Sequence, residues 1–479
     1  MSPQQPPSGA GRRLPPHLHG GLRILKIVNP ATGETLRDLA ADSPDAVAGK
    51  VEKARRAQAE WARTPLDQRH KAIAVFAGLL EKNKDDLAAR LTSEMGKPIT
   101  QSRNELTALQ SRLRFFLDNV EKAIAEEVVH EKEAWREAIT YEPLGLVGNI
   151  SAWNYPYFVG SNVFVPALLT GNAVLYKPSE FATLTGLAIT DAMHAAGVPE
   201  AVFAPVVGGG EAGRALMEQP LDAVFFTGSY ATGRQIAEAA ARRLMKVQLE
   251  LGGKDPVYVA DDVDVVAAAK ATADGAFYNT GQSCCSVERV YVHERIHDAF
   301  VDAFVAEVEG FAVGDPMDEK TYIGPVAREA HLRVLEEQVA DAKAKGARLR
   351  LGGARLDRPG FYFAPTVFAE AHPAMALMRE ETFGPLIGIQ EVKDDEEALR
   401  LMNDTEYGLT AGVYTRDEPR ARRLLAGASS GSAYWNCCDR VSPRLPWTGR
   451  RHSGLGVTLG FAGIRAFVQP KAWHLRQPE

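Results

Sequence analysis

The chain has 479 residues, of which 45% are hydrophobic and 24% charged, and its formal net charge at pH 7 is −6. These values are typical of a globular protein of two or three domains and exclude a low-complexity chain. The negative net charge opposes non-specific binding to nucleic acid, and no apolar run reaches the roughly 18 residues of a membrane span, so we expect neither partner.

The first predicted elements are a leader and three helical stretches. Residues 1–21 are rich in Pro, Gly and Gln and lack the apolar run of a secretory signal, which predicts a disordered leader. Ser43 followed by Pro44 is typical of a helix N-terminus, because Ser caps the free N–H groups and Pro suits the first turn. Helical patterning covers residues 43–63, 66–95 and 99–125.

A strand is predicted at residues 137–141, and alternation of strands and helices begins at Leu144. The strand is either an arm that pairs outside its own domain or half of an ordinary hairpin. The alternation predicts an α/β fold with a mostly parallel sheet. The predicted strands of this region are 146–152, 173–176, 202–207, 223–226, 247–251, 257–259, 290–293 and 411–414, with a terminal strand near 466–475.

Cysteine usage predicts a reducing compartment and no metal site. The only cysteines are the adjacent pairs Cys284-Cys285 and Cys437-Cys438. Two adjacent pairs make a poor disulfide framework, and neighbouring thiols do not have the spacing of zinc ligands. We therefore expect a cytoplasmic protein.

Two Gly-rich breaks carry side chains that suit covalent catalysis. Cys284 lies in Gln-Ser-Cys-Cys, and Glu250 lies just before Gly252-Gly253, which is also the predicted domain boundary. A thiolate nucleophile with a carboxylate base indicates an intermediate that is released by hydrolysis. The alternatives are that both cysteines are small buried apolar residues and that Glu250 forms an ion pair with Lys254.

Polar residues follow three of the predicted strands. Asn154 follows the first and is either an amide donor to an oxyanion or a turn former before Pro156. Lys177 and Glu180 suit the hydroxyls of a ribose, or they belong to a solvated loop. Ser229 begins a helix whose backbone N–H groups suit a phosphate, although the spacing to Gly233 is not G-x-G-x-x-G.

Seven of these stretches recur in the same order in one family, the NAD(P)-dependent aldehyde dehydrogenase superfamily, which the chain resembles from about residue 25 to its C-terminus. The stretches are Trp153-Asn-Tyr-Pro156, Lys177-Pro-Ser-Glu180, Phe226-Thr-Gly-Ser229 with Gly233, Leu249-Glu-Leu-Gly-Gly-Lys254, Gly281-Gln-Ser-Cys284, Glu380-Glu-Thr-Phe-Gly-Pro385 and Ser453-Gly454.

The resemblance assigns roles to individual residues. It implies that Cys284 is the nucleophile, Glu250 the general base and Asn154 the oxyanion donor. Glu180 favours NAD over NADP, because a carboxylate repels a 2′-phosphate. The implied cofactor contacts are Trp153, Lys177, Ser179, Glu180, Gly228, Ser229, Gly233, Leu251, Glu381 and Phe383.

The substrate side is where the chain departs from the family pattern. Pro446-Trp447-Thr448-Gly449 replaces Pro-Phe-Gly-Gly, and Ser283 replaces a usual Cys or Thr. Arg440 and Arg444 suggest an aldehyde with an acidic tail, such as a semialdehyde, unless they face solvent or pair with Asp439. The predicted substrate pocket consists of Tyr155, Phe158, Ser283, Cys285, Arg440, Arg444 and Trp447.

The resemblance also implies three structural parts and a homodimer or homotetramer. A small-molecule aldehyde is the expected substrate, and a CoA-acylating enzyme or a non-catalytic structural member of the family are the alternatives. The expected parts are a Rossmann-like NAD-binding domain of residues 22–125 and 144–252, an α/β catalytic domain of residues 253–455, and a small β oligomerisation arm of residues 126–143 and 456–479.

Overall fold

A computed structural model describes residues 23–478, so the leader predicted at residues 1–21 lies outside the described part of the chain. The strands are β1 Ile24–Val28, β2 Thr35–Ala40, β3 Glu127–Lys132, β4 Trp135–Pro143, β5 Leu146–Ile150, β6 Ala173–Lys177, β7 Phe203–Pro205, β8 Ala223–Thr227, β9 Lys246–Glu250, β10 Pro256–Val259, β11 Arg289–His293, β12 Arg348–Leu351, β13 Thr366–Ala369, β14 Leu386–Val392, β15 Thr410–Tyr414, β16 Ser432–Trp435, β17 Gly454–Leu455 and β18 Val468–Arg476.

The helices are α1 Pro44–Arg63, α2 Leu66–Lys82, α3 Lys84–Met95, α4 Ile99–Ile124, α5 Pro156–Leu169, α6 Thr183–Ala195, α7 Gly210–Met217, α8 Tyr230–Ala241, α9 Val265–Phe277, α10 His297–Glu309, α11 Glu329–Ala344, α12 Ala376–Arg379, α13 Asp395–Asn403, α14 Glu418–Gly427 and α15 Gly460–Arg465. Short 3₁₀ turns cover Tyr278–Gly281 and Arg451–Ser453. The α/β fold class is confirmed.

The first sheet has the strand order β17-β9-β8-β5-β6-β7, and every pair is parallel except β17 with β9. Both β5 and β6 are buried at every position, as expected for a parallel sheet covered on both faces. The chain runs outward from β5 in both directions, to β6 on one side and β8 on the other. Ligands of open α/β sheets bind at such a reversal point.

The second sheet has the order β12-β13-β14-β11-β10-β15-β16 and is parallel except for β12 with β13. Alternate residues of β10 face opposite cores. Val257 and Val259 pack with α9 and α10, whereas Tyr258 packs with α11, α13 and α14. This sheet is therefore also a three-layer unit, and its first element follows the Gly252-Gly253 break.

The strand predicted at residues 137–141 lies in a third sheet, of order β18-β4-β3. It forms a hairpin with β3, and the C-terminal strand β18 pairs along its other edge, from Val468 opposite Pro143 to Arg476 opposite Trp135. The C-terminal segment is not confined to this sheet, because Phe467 stacks on Phe225 of β8 with ring centroids 4.2 Å apart.

Two features differ from the predicted elements. A hairpin of β1 and β2 precedes the helical stretch and was not predicted. The helix predicted over residues 66–95 is two helices, because Asn83 leaves helical geometry at φ −105° and ψ 20° and its side chain donates to Leu79 O at 2.8 Å. Ser43 caps α1 as predicted, accepting a hydrogen bond from Ala46 N.

The predicted boundary at residue 455 assigns Gly454–Leu455 to the catalytic part. These two residues form β17, whose partner is β9 of the first sheet, with Gly454 opposite Glu250.

Among residues 23–478, no helix combines the length and the apolar character needed to cross a membrane.

The buried side chain of Asn172 forms hydrogen bonds to three separate segments of the chain. Replacing this side chain therefore tests how these segments stabilise the first sheet. Its amide accepts from Gly145 N at 2.8 Å and donates to Phe467 O at 3.0 Å and Ala167 O at 3.1 Å. We expect Asn172→Ala to lower the free energy of unfolding by about 3–5 kcal/mol, because backbone groups are left buried without partners.

Urea denaturation followed by tryptophan fluorescence measures this loss. The matched control is Asn104→Ala at an exposed position of α4, for which a change below about 0.5 kcal/mol is expected. Equal losses in the two variants would contradict the role of Asn172.

Candidate active site

A cavity of about 600 Å³ opens at the carboxyl ends of β5, β6, β8 and β9. Loops from the second sheet close it from the opposite side. The structure brings together there most of the predicted catalytic and cofactor residues, namely Asn154, Glu250, Cys284, Trp153, Lys177, Ser179, Glu180, Gly228, Ser229, Leu251, Glu381 and Phe383.

Cys284 follows a turn with an unusual backbone. Asn279 and Thr280 have φ values of 54° and 59°, and Gly281 has a φ of 70°. Three consecutive left-handed residues are costly for non-glycine side chains and persist only when the surroundings enforce them. Gln101 does so by accepting from Asn279 N at 2.8 Å, and Asn279 donates from its amide to Gln282 O at 3.0 Å.

The two neighbouring thiols differ in exposure. Cys284 is half-buried at the cavity wall, whereas Cys285 is buried and donates to Asp439 Oδ1 at 3.0 Å. The pKa of Cys285 is raised well above its ordinary value by a hydrogen bond with Cys284 and by burial. Cys284 is therefore the thiol of this pair that a molecule in the cavity meets.

Asn154 is tied to the loop that carries Cys284. Its side-chain amide donates to Gln282 O at 3.2 Å, and its carbonyl accepts from Asn279 at 3.2 Å. These two contacts hold a buried amide donor beside the thiol. The predicted turn role is also present, since Pro156 begins α5 directly afterwards.

Glu250 ends β9 with its carboxylate inside the protein. Gln248 Nε2 donates to it at 3.3 Å, and the Thr458 hydroxyl also donates to it. Burial raises the pKa of Glu250 to about 7, while the Thr458 hydroxyl and the charge of Arg112 oppose the rise. The alternative of an ion pair with Lys254 does not hold, because Lys254 Nζ pairs with Glu288 at 2.6 Å.

The buried Lys254–Glu288 pair holds the backbone of the loop that carries Glu381 and Phe383. Glu288 accepts from the backbone N–H groups of Thr382 and Phe383, both at 3.0 Å. Glu381 accepts from Gly253 N at 3.0 Å, and burial raises its pKa to about 8. A half-buried carboxyl with so few protein donors suits the hydroxyl groups of a ribose.

The polar residues predicted to contact the adenosine part of the cofactor lie together at the cavity wall. Lys177 lies 3.7 Å from Glu180, and Ser179 donates to Glu180 at 3.5 Å. Ser229 caps α8, whose N-terminal N–H groups open onto the cavity beside Gly228. This arrangement fits the phosphates of a dinucleotide.

Gly233 has a packing role. It lies in the first turn of α8, and a Cβ there would lie 2.5 Å from the Leu251 side chain. Trp153 meets Phe383 edge to face at 5.4 Å, so the aromatic residues from both sheets contact each other across the cavity.

The predicted substrate residues lie outside the cavity wall just described. Tyr155 and Phe158 stack with centroids 6.0 Å apart, and Ser283 donates to Asp439 at 3.1 Å beside Cys285. Trp447 is buried and exchanges backbone hydrogen bonds with Thr458. In contrast, Arg440 and Arg444 are exposed.

Sequence reasoning missed two buried cations behind these aromatic rings. Lys97 Nζ lies 3.7 Å from the Tyr155 ring centroid, and Arg112 Cζ lies 4.1 Å from that of Phe158. A signal existed for Arg112, since it occupies the apolar face of α4 between Leu109 and Phe116. Asp439, Glu288 and Thr458 carried no such signal, because their partners are distant in sequence.

Within residues 23–478, no three His, Cys, Asp or Glu side chains cluster so that they could hold a metal ion.

The difference between the two thiols predicts selective alkylation. Iodoacetamide at neutral pH is expected to modify Cys284 and the half-buried Cys437, and to leave the buried Cys285 and Cys438 unmodified. Peptide mass spectrometry after a time course measures this. Faster modification of Cys285 than of Cys284 would contradict the assignment.

Comparisons with known proteins agree with this geometry. The sequence model of the Aldehyde dehydrogenase family matches residues 19–473. Succinate-semialdehyde dehydrogenase [NADP(+)] 1 of Mycobacterium tuberculosis is 35% identical over 450 residues, which are 93% of this chain and 98% of that protein. Aminoaldehyde dehydrogenase 2, peroxisomal, of Malus domestica is 34% identical over 93% of this chain and 91% of that protein.

A solved structure shares the whole fold. The crystal structure of PnpE in complex with nicotinamide adenine dinucleotide superposes with a TM-score of 0.92 and 32% identity, covering 95% of this chain and 94% of that chain. Near full-length coverage in sequence and in structure shows the family and not merely a shared domain. The chain belongs to the aldehyde dehydrogenase family and is an NAD(P)-dependent enzyme that oxidises aldehydes.

Proposed function

We propose that the enzyme converts an aldehyde to the carboxylic acid through a covalent intermediate on Cys284. The observation that supports this most is the placement of Cys284, Asn154 and Glu250 on the wall of one cavity, beside the groups that suit a dinucleotide. Each residue then has a defined task in the two halves of the reaction.

In the first half, the Cys284 thiolate attacks the carbonyl carbon, a C–S bond forms, and the carbonyl π electrons move onto oxygen. The Asn154 amide and the Cys284 N–H donate to the resulting oxyanion. Loss of one such donor costs roughly 3–4 kcal/mol of transition-state stabilisation. NAD(P)⁺, when bound, accepts the hydride that leaves the former carbonyl carbon, and Cys284 is left as a thioester.

In the second half, Glu250 takes a proton from water as the water oxygen attacks the thioester carbon. The C–S bond breaks, the acid leaves, and Cys284 returns as thiolate. Hydrolysis is preferred to acyl transfer to CoA because a buried carboxylate with a pKa near 7 is a competent base at neutral pH. The intact set of three residues also disfavours a non-catalytic role.

NAD⁺ is the proposed preferred cofactor. Glu180 lies at the carboxyl end of β6 next to Lys177, where the adenosine ribose is expected, and its charge repels a 2′-phosphate. The relative from M. tuberculosis carries NADP(+) in its name, so both cofactors are used among proteins similar to this chain.

The remaining proposals concern assembly, parts and location. The three-stranded sheet exposes Trp135, Trp473 and Leu475, which suits a homodimer or homotetramer contact. Residues 126–143 and 456–479 are the proposed oligomerisation segment, with the first sheet as the cofactor domain and the second as the catalytic domain. Four free cysteines favour the cytoplasm.

Separate variants of the nucleophile and the base should stop the reaction at different stages. Cys284→Ser is expected to lose NADH formation by at least about 10³-fold, because the acyl intermediate no longer forms. Glu250→Gln is expected to release about one equivalent of NADH per active site and then stall, because the thioester is not hydrolysed. Stopped-flow absorbance at 340 nm with hexanal measures both, and a full steady rate in Glu250→Gln would contradict the role of the base.

The pKa of Glu250 sets the pH dependence of the steady rate. The carboxylate is the active form, so the rate after the first turnover is expected to rise about tenfold per pH unit below pH 7 and to level off above it. Thr458→Val removes a donor that lowers the pKa of Glu250, so its inflection is expected at higher pH. An unchanged inflection in that variant would count against Glu250 as the titrating group.

Cofactor preference tests Glu180. Glu180→Gln is expected to lower KM for NADP⁺ by roughly tenfold, because repulsion between unit charges near a protein surface reaches a few kcal/mol. The KM for NAD⁺ in the same variant is the reference. Parallel changes in both constants would show that Glu180 does not discriminate between the two cofactors.

A further inference from the structure

Arg112 is a buried cation on the substrate side of the site. It lies on the inner face of α4 and is 4% exposed, whereas Arg114 two residues later is exposed. Placing a guanidinium among Leu109, Leu113 and Phe116 costs free energy unless something compensates for its lost hydration. The structure shows only part of that compensation.

The protein contacts of Arg112 leave most of its donors unused. Nη1 donates to Asn162 Oδ1 at 2.9 Å, and the Phe158 ring covers one face at 4.1 Å. Among the residues that the structure describes, no carboxylate forms an ion pair with it. Within residues 23–478, the other guanidinium nitrogens have no acceptor, and none of them is fully enclosed.

The nearby Lys97 shows the opposite pattern. It is also fully buried, but it forms an ion pair with Glu105, which in turn accepts from Tyr157 N at 2.9 Å. Lys97 is therefore satisfied within the protein. In contrast to Lys97, Arg112 forms no ion pair with a carboxylate in the described part of the chain.

Arg112 adjoins the aromatic residues that follow Asn154, because the Phe158 ring that covers it stacks on Tyr155. Its charge is attracted electrostatically to Glu250 and Glu105, and to Cys285 when that thiol is ionised. Cys285 is the direct neighbour of the nucleophile. The guanidinium therefore lies on the side of the site where the far end of an aldehyde held at Cys284 is expected.

We propose that Arg112, positioned by Asn162 and Phe158, binds the carboxylate at the far end of a short-chain ω-oxo acid and so selects anionic aldehydes. This inference rests on the proposed covalent reaction at Cys284. A planar guanidinium with free donors matches a carboxylate in a two-point contact. It replaces Arg440 and Arg444 as the anion contact, since both of these are exposed.

A cationic tail is the opposing choice, and Asp439 is the group that would bind it. Its Oδ1 already accepts from Ser283 at 3.1 Å and from Cys285 at 3.0 Å. Both donors belong to the loop that carries the nucleophile, so the protein itself already uses the Asp439 carboxylate at Oδ1, whereas Arg112 makes one side-chain hydrogen bond within residues 23–478. This favours an acidic tail.

The test compares three aldehydes of matched length, which are 4-oxobutanoate, butanal and 4-aminobutanal. The wild-type enzyme is expected to prefer 4-oxobutanoate in kcat/KM. In Arg112→Gln, the ratio of kcat/KM for 4-oxobutanoate over butanal is expected to fall by about 100-fold, mostly through KM. The same ratio in Arg112→Lys is expected to lie between those of the wild type and Arg112→Gln, because lysine keeps the positive charge but cannot make the two-point contact of a guanidinium.

Arg114→Gln is the matched control on the same helix, and its ratio is expected to equal that of the wild type. An unchanged ratio in Arg112→Gln, or a wild-type preference for 4-aminobutanal, would overturn the assignment of Arg112 while leaving the covalent mechanism intact. Absence of oxidation of all three aldehydes by the wild type would instead refute the proposed function, and this inference with it.

A competition experiment on the wild-type enzyme tests the same proposal without any variant, so its result does not depend on how a variant folds. Butanedioate is expected to compete with 4-oxobutanoate at least about tenfold better than butanamide, since only the former presents a carboxylate to Arg112. Equal inhibition by the two compounds would also overturn the proposal.

Discussion

The site depends on the close approach of two loops at Gly252-Gly253. A Cβ at Gly252 would lie 2.3 Å from the Glu381 carboxylate, and one at Gly253 would lie 2.6 Å from Cys284 O. Any larger residue would push the loops of the second sheet away from the end of β9. Because Glu250 ends β9, this steric condition holds the base, the nucleophile and the ribose-binding carboxyl within one cavity.

Buried charges around this contact divide into structural and reactive groups. Lys254 and Glu288 pair with each other, and Glu288 also fixes the backbone of Thr382 and Phe383. Glu250 has hydrogen-bond donors but forms no ion pair within residues 23–478, and burial raises its pKa. A paired buried charge positions the backbone, whereas an unpaired one is free to exchange a proton or bind a ligand.

The same distinction applies on the substrate side, where the charge that sequence reasoning chose was not the buried one. Arg440 and Arg444 attracted attention because they lie in a loop that departs from the family pattern. Arg112 lies on the apolar face of α4, a position that helical spacing indicates, but the pattern alone does not show whether the side chain has a partner. Its burial and its missing ion-pair partner among the described residues became visible only when α4 was packed against α5.

Local pattern was enough to predict the α/β class, the strands that line the cavity and the residues at their ends. Apolar runs, Gly breaks and polar strand ends are properties of short segments, and so Cys284, Glu250 and Asn154 could be named from the sequence with the family resemblance. The order of the sheets, the pairing of β17 with β9 and the environment of each charge involve partners up to 341 residues away, as for Arg476 and Trp135. Only the tertiary structure decides these, because burial and hydrogen bonding depend on which segments meet in space.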